Sequence, residues 1–103
     1  MFVAYEVSVE LVHALKPVLP LIRECDADLE RQARRAATSV CLNLAEGRRR
    51  IGKDRIHHFR IAAGSAAEVG AAIDVAIAWG YVDGQSVQPL VEKLLRLTYG
   101  LTR

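Results

Sequence analysis

The chain is expected to fold as an all-α protein, an up-down antiparallel four-helix bundle. Three observations predict this. Apolar residues recur at helical spacing in four successive segments. Short polar connections join the segments and set consecutive helices side by side and antiparallel. No stretch shows the strict apolar–polar alternation of a half-buried strand. With 103 residues, 51% of them hydrophobic, residues 1–103 are expected to form one domain.

The first segment carries Tyr5, Val9, Val12, Leu15 or Lys16, Leu19 and Ile22 as its apolar stripe. Pro17 and Pro20 interrupt it. Each lacks a backbone donor, and Pro17 disfavours helical geometry at Lys16. The first helix is therefore expected to be kinked or broken near Pro17. A polar connection from Glu24 to Asp28 follows, where Asp26 or Asp28 can cap the next helix. The second helix is expected from about Leu29 to Glu46. Leu29, Ala33, Ala36, Ala37, Val40 and Leu44 share one face, with Arg31, Arg34, Arg35 and Thr38 opposite. Gly47 is expected to stop it in a left-handed conformation.

Arg48 to Lys53 form the next turn, and the third helix starts near Gly52 to Asp54 and continues to about Trp79. Its core stripe reads Ile56, Phe59, Ala63, Ala66, Gly70, Ile73 and Ile77. Gly64, Gly70 and the many alanines keep this helix thin enough for a close neighbour. Tight packing then offsets the ~1 kcal/mol of helix propensity that each glycine forgoes. Gly80 ends the helix. Asp83, Gly84 and Ser86 form the last turn, with Ser86 the expected N-cap and Pro89 in the first turn. Val87, Leu90, Val91, Leu94, Thr98 and Leu101 make the inner face of the fourth helix.

Composition narrows the setting. Cys25 and Cys41 are too few for a disulfide scaffold, so a reducing compartment is expected. No secretory N-terminus is visible, and no apolar run approaches the ~20 residues of a membrane span. A cytoplasmic protein without a membrane partner is expected.

Charge is unevenly spread. The net value is +2, yet nine basic residues between Arg31 and Arg60 face only Glu46 and Asp54 there. Cations just past a helix C-terminus gain ~0.3–1 kcal/mol each from the helix dipole, and one or two satisfy that need. Arg48, Arg49, Arg50 and Lys53 in the turn exceed it. Arg31, Arg34 and Arg35 on the second helix and Arg55 on the third extend the basic surface, as does Arg60. Clustered guanidinium groups suit phosphate oxygens. Aromatic residues for base stacking are scarce there, which favours backbone recognition over base reading. The expected function is RNA or other nucleic-acid binding through this basic turn and helix face. The alternative is a protein-interaction adaptor or scaffold whose arginines meet an acidic or nucleic-acid-associated protein.

The polar residues Ser39, Asn43 and Glu46 lie on one flank of the second helix, and Ser65 and Glu68 on the third. Their expected role is structural, as hydrogen bonds that hold the two helices in register. No histidine falls near them in the pattern to act as a base. His57 and His58 point about 100° apart, suit a basic surface, and have no convergent ligands for zinc. No catalytic residue, metal or cofactor is expected, and so no enzyme.

These segments resemble a known family. RRAATSVCLNLAEG, a basic turn and then FRIAAGSAAE are similar to the pattern of the 23S rRNA-intervening-sequence proteins, met here by Arg35, Ala36, Ser39, Asn43, Ala45, Glu46 and Gly47, then Ile61, Ala62, Gly64, Ser65 and Glu68. Ile51 departs from it where many relatives have a capping Ser or Thr, and Arg55 and His58 stand where relatives are often apolar or aromatic. The resemblance implies a four-helix bundle, commonly a homopentamer with a basic surface, without an established enzymatic activity. Nucleic-acid binding is what it implies for partners.

Periodicity also points to self-association. Ile61, Ser65, Glu68, Ala72, Val75 and Trp79 form a second stripe on the third helix, nearly opposite its core stripe. The back of a helix in a small monomeric bundle should be charged. Leu42 repeats the anomaly among the arginines of the second helix. Leu42, Ile61, Val75 and Trp79 are thus expected at a homo-oligomer interface. Otherwise the third helix is simply central, covered on both sides.

Overall fold

The computed structural model describes residues 1–84 and 86–103, and among them finds five helices and no strand. Helix α1 spans Val3–Leu15 and α2 Leu19–Cys25. Helix α3 spans Ala27–Arg48, α4 Gly52–Ala78 and α5 Gln88–Leu101. The first two are halves of one arm. The chain turns at Lys16–Val18, where Pro17 has no donor to continue the helical ladder and Val18 N–H reaches back only to the Leu15 carbonyl at 3.0 Å. Pro20 falls harmlessly in the first turn of α2.

Four arms therefore close a ring measuring 42 × 22 × 19 Å. Helices α1 and α2 lie on α3, α3 on α4, α4 on α5, and α5 returns to α1. The α3–α4 hairpin is the most extensive of these contacts. Small residues explain why: Ala33, Ala36, Ala37 and Val40 of α3 and Ala62, Ala66 and Val69 of α4 are all buried.

Those alanines also shift the buried faces from the expected ones. On α4 the buried set is Phe59, Ala62, Ala66, Val69, Ala72, Ile73 and Ala76, while Ala63, Gly70 and Ile77 are only half-buried. Reading by bulk favours Ile56 and Ile77, but close approach of α3 turns the face toward the small side. On the first arm Ala4, Val7, Ser8, Leu11 and Leu15 are buried and Val12 is exposed. Ser8 can enter the core because its hydroxyl donates to the Tyr5 carbonyl at 2.6 Å.

Helix ends bring further corrections. Asp26 alone separates α2 from α3, and it caps α3 by accepting from Leu29 N–H at 3.0 Å. Gly47 is no stop. It lies buried within α3, which ends at Arg48 with Arg49 as a right-handed C-cap. Gly80 is a true left-handed stop, with φ +81°. Tyr81 N–H bonds the Ala76 carbonyl and Gly80 N–H the Ile77 carbonyl, each at 2.9 Å, the pair that defines a Schellman ending. Ser86 does not cap α5. Val87 holds that position with its side chain fully buried, and the Val87 and Gln88 N–H groups donate to the Gly84 carbonyl instead.

Contrary to the expectation about membrane spans, α4 is long and apolar enough by length and composition to cross a bilayer. Packing against α3 and α5 accounts for only part of that composition: 33% of the most apolar stretch is buried, and Ile61 and Val75 stay exposed.

Candidate nucleic-acid interface

The end of the bundle at the α3–α4 turn is built from its first unsatisfied groups upward. The last carbonyls of α3 have no partners within the helix. Arg55, one turn into α4, supplies donors to two of them, Nε to Gly47 at 3.3 Å and Nη2 to Arg48 at 3.1 Å, and its Nε also donates to the Arg50 carbonyl in the turn just beyond α3 at 2.7 Å. Arg55, expected as a phosphate contact, thus holds the turn together. Arg55→Ala should cost about 1 kcal/mol and lower the thermal midpoint by about 4–8 °C, measured by circular dichroism. Arg49→Ala, which removes no such bond, should leave the midpoint unchanged.

Arg50 is equally engaged. Its guanidinium donates to Glu46 Oε1 at 2.7 Å and to Asp54 Oδ2 at 2.8 Å, bridging α3 and α4 across the turn. The hydrogen bond from Arg50, and then its charge, hold the Glu46 carboxyl below the usual glutamate range. A depressed carboxylate stabilises the fold above its unfolded pKa. That contribution disappears as pH falls through the lowered folded value.

Other cations are divided. Arg31 pairs with Asp28 at 2.6 Å, and Arg34 with the buried Glu30 at 2.8 Å. Both lie well back along α3, roughly 20–25 Å from Arg48 at 1.5 Å per residue, so they do not join the turn cluster. Arg35 sits on a separate polar depression of about 330 Å³ with Gln32, Ser39, Ser65 and Glu68. Arg48 lies over the Phe2 ring, 5.4 Å from its centroid, and Phe2 in turn packs against Phe59. Among the described residues, Arg49, Lys53 and Arg60 are exposed and make no ion pair. Lys53 and Arg60 line a depression of about 640 Å³ with Gly52, Arg55 and Ile56. Arg60, expected on the basic surface beside Arg55, joins Lys53 at this depression. Its spacing of seven from Lys53, two helical turns on one face, is the signal that places it there.

The polar residues between α3 and α4 fall into two groups. Ser65 donates to Ser39 Oγ at 2.8 Å, and Asn43 Nδ2 donates to Ser39 at 3.1 Å. His58, half-buried rather than part of a basic surface, completes this set through Nδ1 and Asn43 Oδ1, 3.1 Å apart. Glu46 and Glu68 lie outside it: Glu46 turns to Arg50, and Glu68 is exposed at the groove's edge. Contrary to the expectation that no histidine falls near these residues, an imidazole thus reaches the set, but through the Asn43 amide: the serine hydroxyls bond each other and Asn43, not His58. Among the described residues no three His, Cys, Asp or Glu side chains converge on a metal site.

The apolar candidates are open to solvent. Leu42 is 64% and Trp79 69% exposed, and Ile61 and Val75 are also exposed. Of the second stripe, only Ala72 is buried. The Trp79 ring stacks on Tyr81 with centroids 6.5 Å apart.

Comparison with curated proteins and with solved structures returns no match. A family model does match, that of the 23S rRNA-intervening sequence protein, over residues 2–103. That span takes in all five helices and both motif segments, and on it the chain belongs to the 23S rRNA-intervening sequence protein family.

Proposed function

We propose that this chain is a non-enzymatic, oligomeric helical bundle that binds RNA through its basic turn. One observation carries the reading. Arg49, Lys53 and Arg60 stand at one end without ion-pair partners, and Arg50 already binds the nearby carboxylates Glu46 and Asp54. Cations left free beside neutralised acids present a field that attracts phosphate. Phe59 is buried and Phe2 half-buried, so the surface offers little for base stacking and fits backbone recognition. Assembly rests on Leu42, Ile61, Val75 and Trp79, which one copy leaves exposed; five subunits is what the family likeness adds.

The test is binding of the full chain to a fluorescein-labelled RNA hairpin. Affinity should fall steeply between about 50 and about 200 mM salt. Changing Arg48, Arg49 and Arg50 together to Glu should abolish binding with helical circular dichroism retained. Unchanged binding by that variant refutes the site. A nuclease-resistant protein complex, with no RNA binding, would favour the adaptor reading instead.

A further inference from the structure

The arginines and lysine of the turn do not do the same work. We propose that Arg49, Lys53 and Arg60 are the residues that hold RNA phosphates, and that Arg50 is a positioning residue that neutralises Glu46 and Asp54 without touching the nucleic acid. This rests on the RNA reading above and divides its site.

Geometry supports the division. Arg50 spends Nε and Nη2 on Glu46 Oε1, at 3.0 and 2.7 Å, and Nη1 on Asp54 Oδ2, at 2.8 Å. Each guanidinium nitrogen donates to a carboxylate, and the Nε–Nη2 edge closes on Glu46, so Arg50 has only one N–H left on each of Nη1 and Nη2 and its charge is already matched by two acids. Removing Arg50 would also release two negative charges beside the site. Lys53 and Arg60 differ in pairing, not in exposure, which Arg50 shares. They are exposed, unpaired, and two turns apart on the outward face of α4, a rise of about 10 Å. Arg49 at the end of α3 is likewise unpaired and exposed. Only Asp54 among the acids lies within the Arg48–Arg60 stretch, and Arg50 holds it. The carboxylates therefore cost the site little as long as Arg50 remains.

The consequence is a rescue that a direct contact would not give. Lys53→Ala, Arg60→Ala and Arg49→Ala should each lower the slope of log affinity against log salt by about one. Relative to about 1 M salt, one unit of slope is about tenfold in affinity at about 0.1 M. Arg50→Gln should also weaken binding. Adding Glu46→Gln and Asp54→Asn to Arg50→Gln should restore affinity and slope to at least the wild-type values, because the charges that Arg50 masks are gone. Glu46→Gln and Asp54→Asn replace each carboxylate with an amide of similar shape, and circular dichroism verifies the helices.

The probe is the same labelled RNA hairpin, followed by fluorescence anisotropy across the salt range. A triple variant that stays weak with its slope reduced by about one would make Arg50 a phosphate ligand and overturn the assignment. Unchanged slopes for Lys53→Ala and Arg60→Ala would overturn it as well. Both outcomes leave wild-type RNA binding standing. Absence of wild-type binding at low salt would remove the RNA reading and the division together.

Discussion

Gly47→Val is expected to be among the most damaging single changes outside the large core residues, and Gly47→Ala should already destabilise. A Cβ at this position would lie 2.6 Å from Phe59 Cε1 and 2.8 Å from Cδ1, with His58 Cβ at 3.2 Å. Phe59 is 5% exposed, so its ring has no open space into which to move. Alanine gains ~1 kcal/mol of helix propensity over glycine in a helix interior. Overpacking of a closed core costs ~1–3 kcal/mol or more. The clash should win: a net loss of about 1–2 kcal/mol for alanine, more for valine, and several degrees of midpoint per kcal/mol. Thermal unfolding of Gly47→Ala with and without Phe59→Leu separates the causes, since the smaller side chain should relieve the clash. Gly64 provides the opposite sign. Nothing lies within 4 Å of its added Cβ, so Gly64→Ala should raise stability by up to about 1 kcal/mol. A rise in stability for Gly47→Ala would show that the α3–α4 contact is looser than it stands here.

Two residues apart on α3, Leu44 and Leu42 should give separate phenotypes. Leu44 is fully buried, and Leu44→Ala should cost about 2–5 kcal/mol through lost transfer energy and a cavity. For a domain whose total stability is of order 5–15 kcal/mol, much of the folded population is then at risk on mild warming. Leu42 is mostly exposed, so Leu42→Glu should leave the unfolding transition of the single chain nearly unchanged. If this face is buried between copies, the same change lowers the mass seen by light scattering, as should Trp79→Glu. Wild-type protein that scatters as a monomer at tens of micromolar (a range in which weak interfaces of micromolar affinity assemble) would contradict the assembly proposal.

Pattern alone made the architecture legible: spacing located every arm, and Pro17 marked the break between α1 and α2. A cap at Asp26 or Asp28, of which the structure uses Asp26, and a stop at Gly80 followed from side-chain chemistry acting within a few residues. What escaped depends on contacts across the fold. Gly47 looks like a stop because glycine before a polar turn usually is one. Only the position of Phe59, twelve residues later, reveals it as a place where two helices meet. The buried stripes were misjudged where alanines and a serine carry the interface, since bulk is a poor guide when helices pack closely. At the site, the run of basic residues announced charge but not its use. Arg50 and Arg55 differ from Arg49 and Lys53 only through bonds to Glu46, Asp54 and the α3 carbonyls, and those are set by the geometry of the turn.

Trp79 also gives the protein its own optical reporter. It is the chain's single tryptophan, and it stands in solvent beside Tyr81 at the end of α4 remote from the basic turn. Twenty-seven helical residues separate the two ends, about 40 Å. Its emission therefore registers events on its own end with little interference from ligand bound at the other. A shift toward shorter wavelength on raising protein concentration would track burial of the indole, while titration with RNA at fixed concentration should leave the spectrum still. Association and ligand binding thus have separate spectroscopic channels in the unlabelled protein.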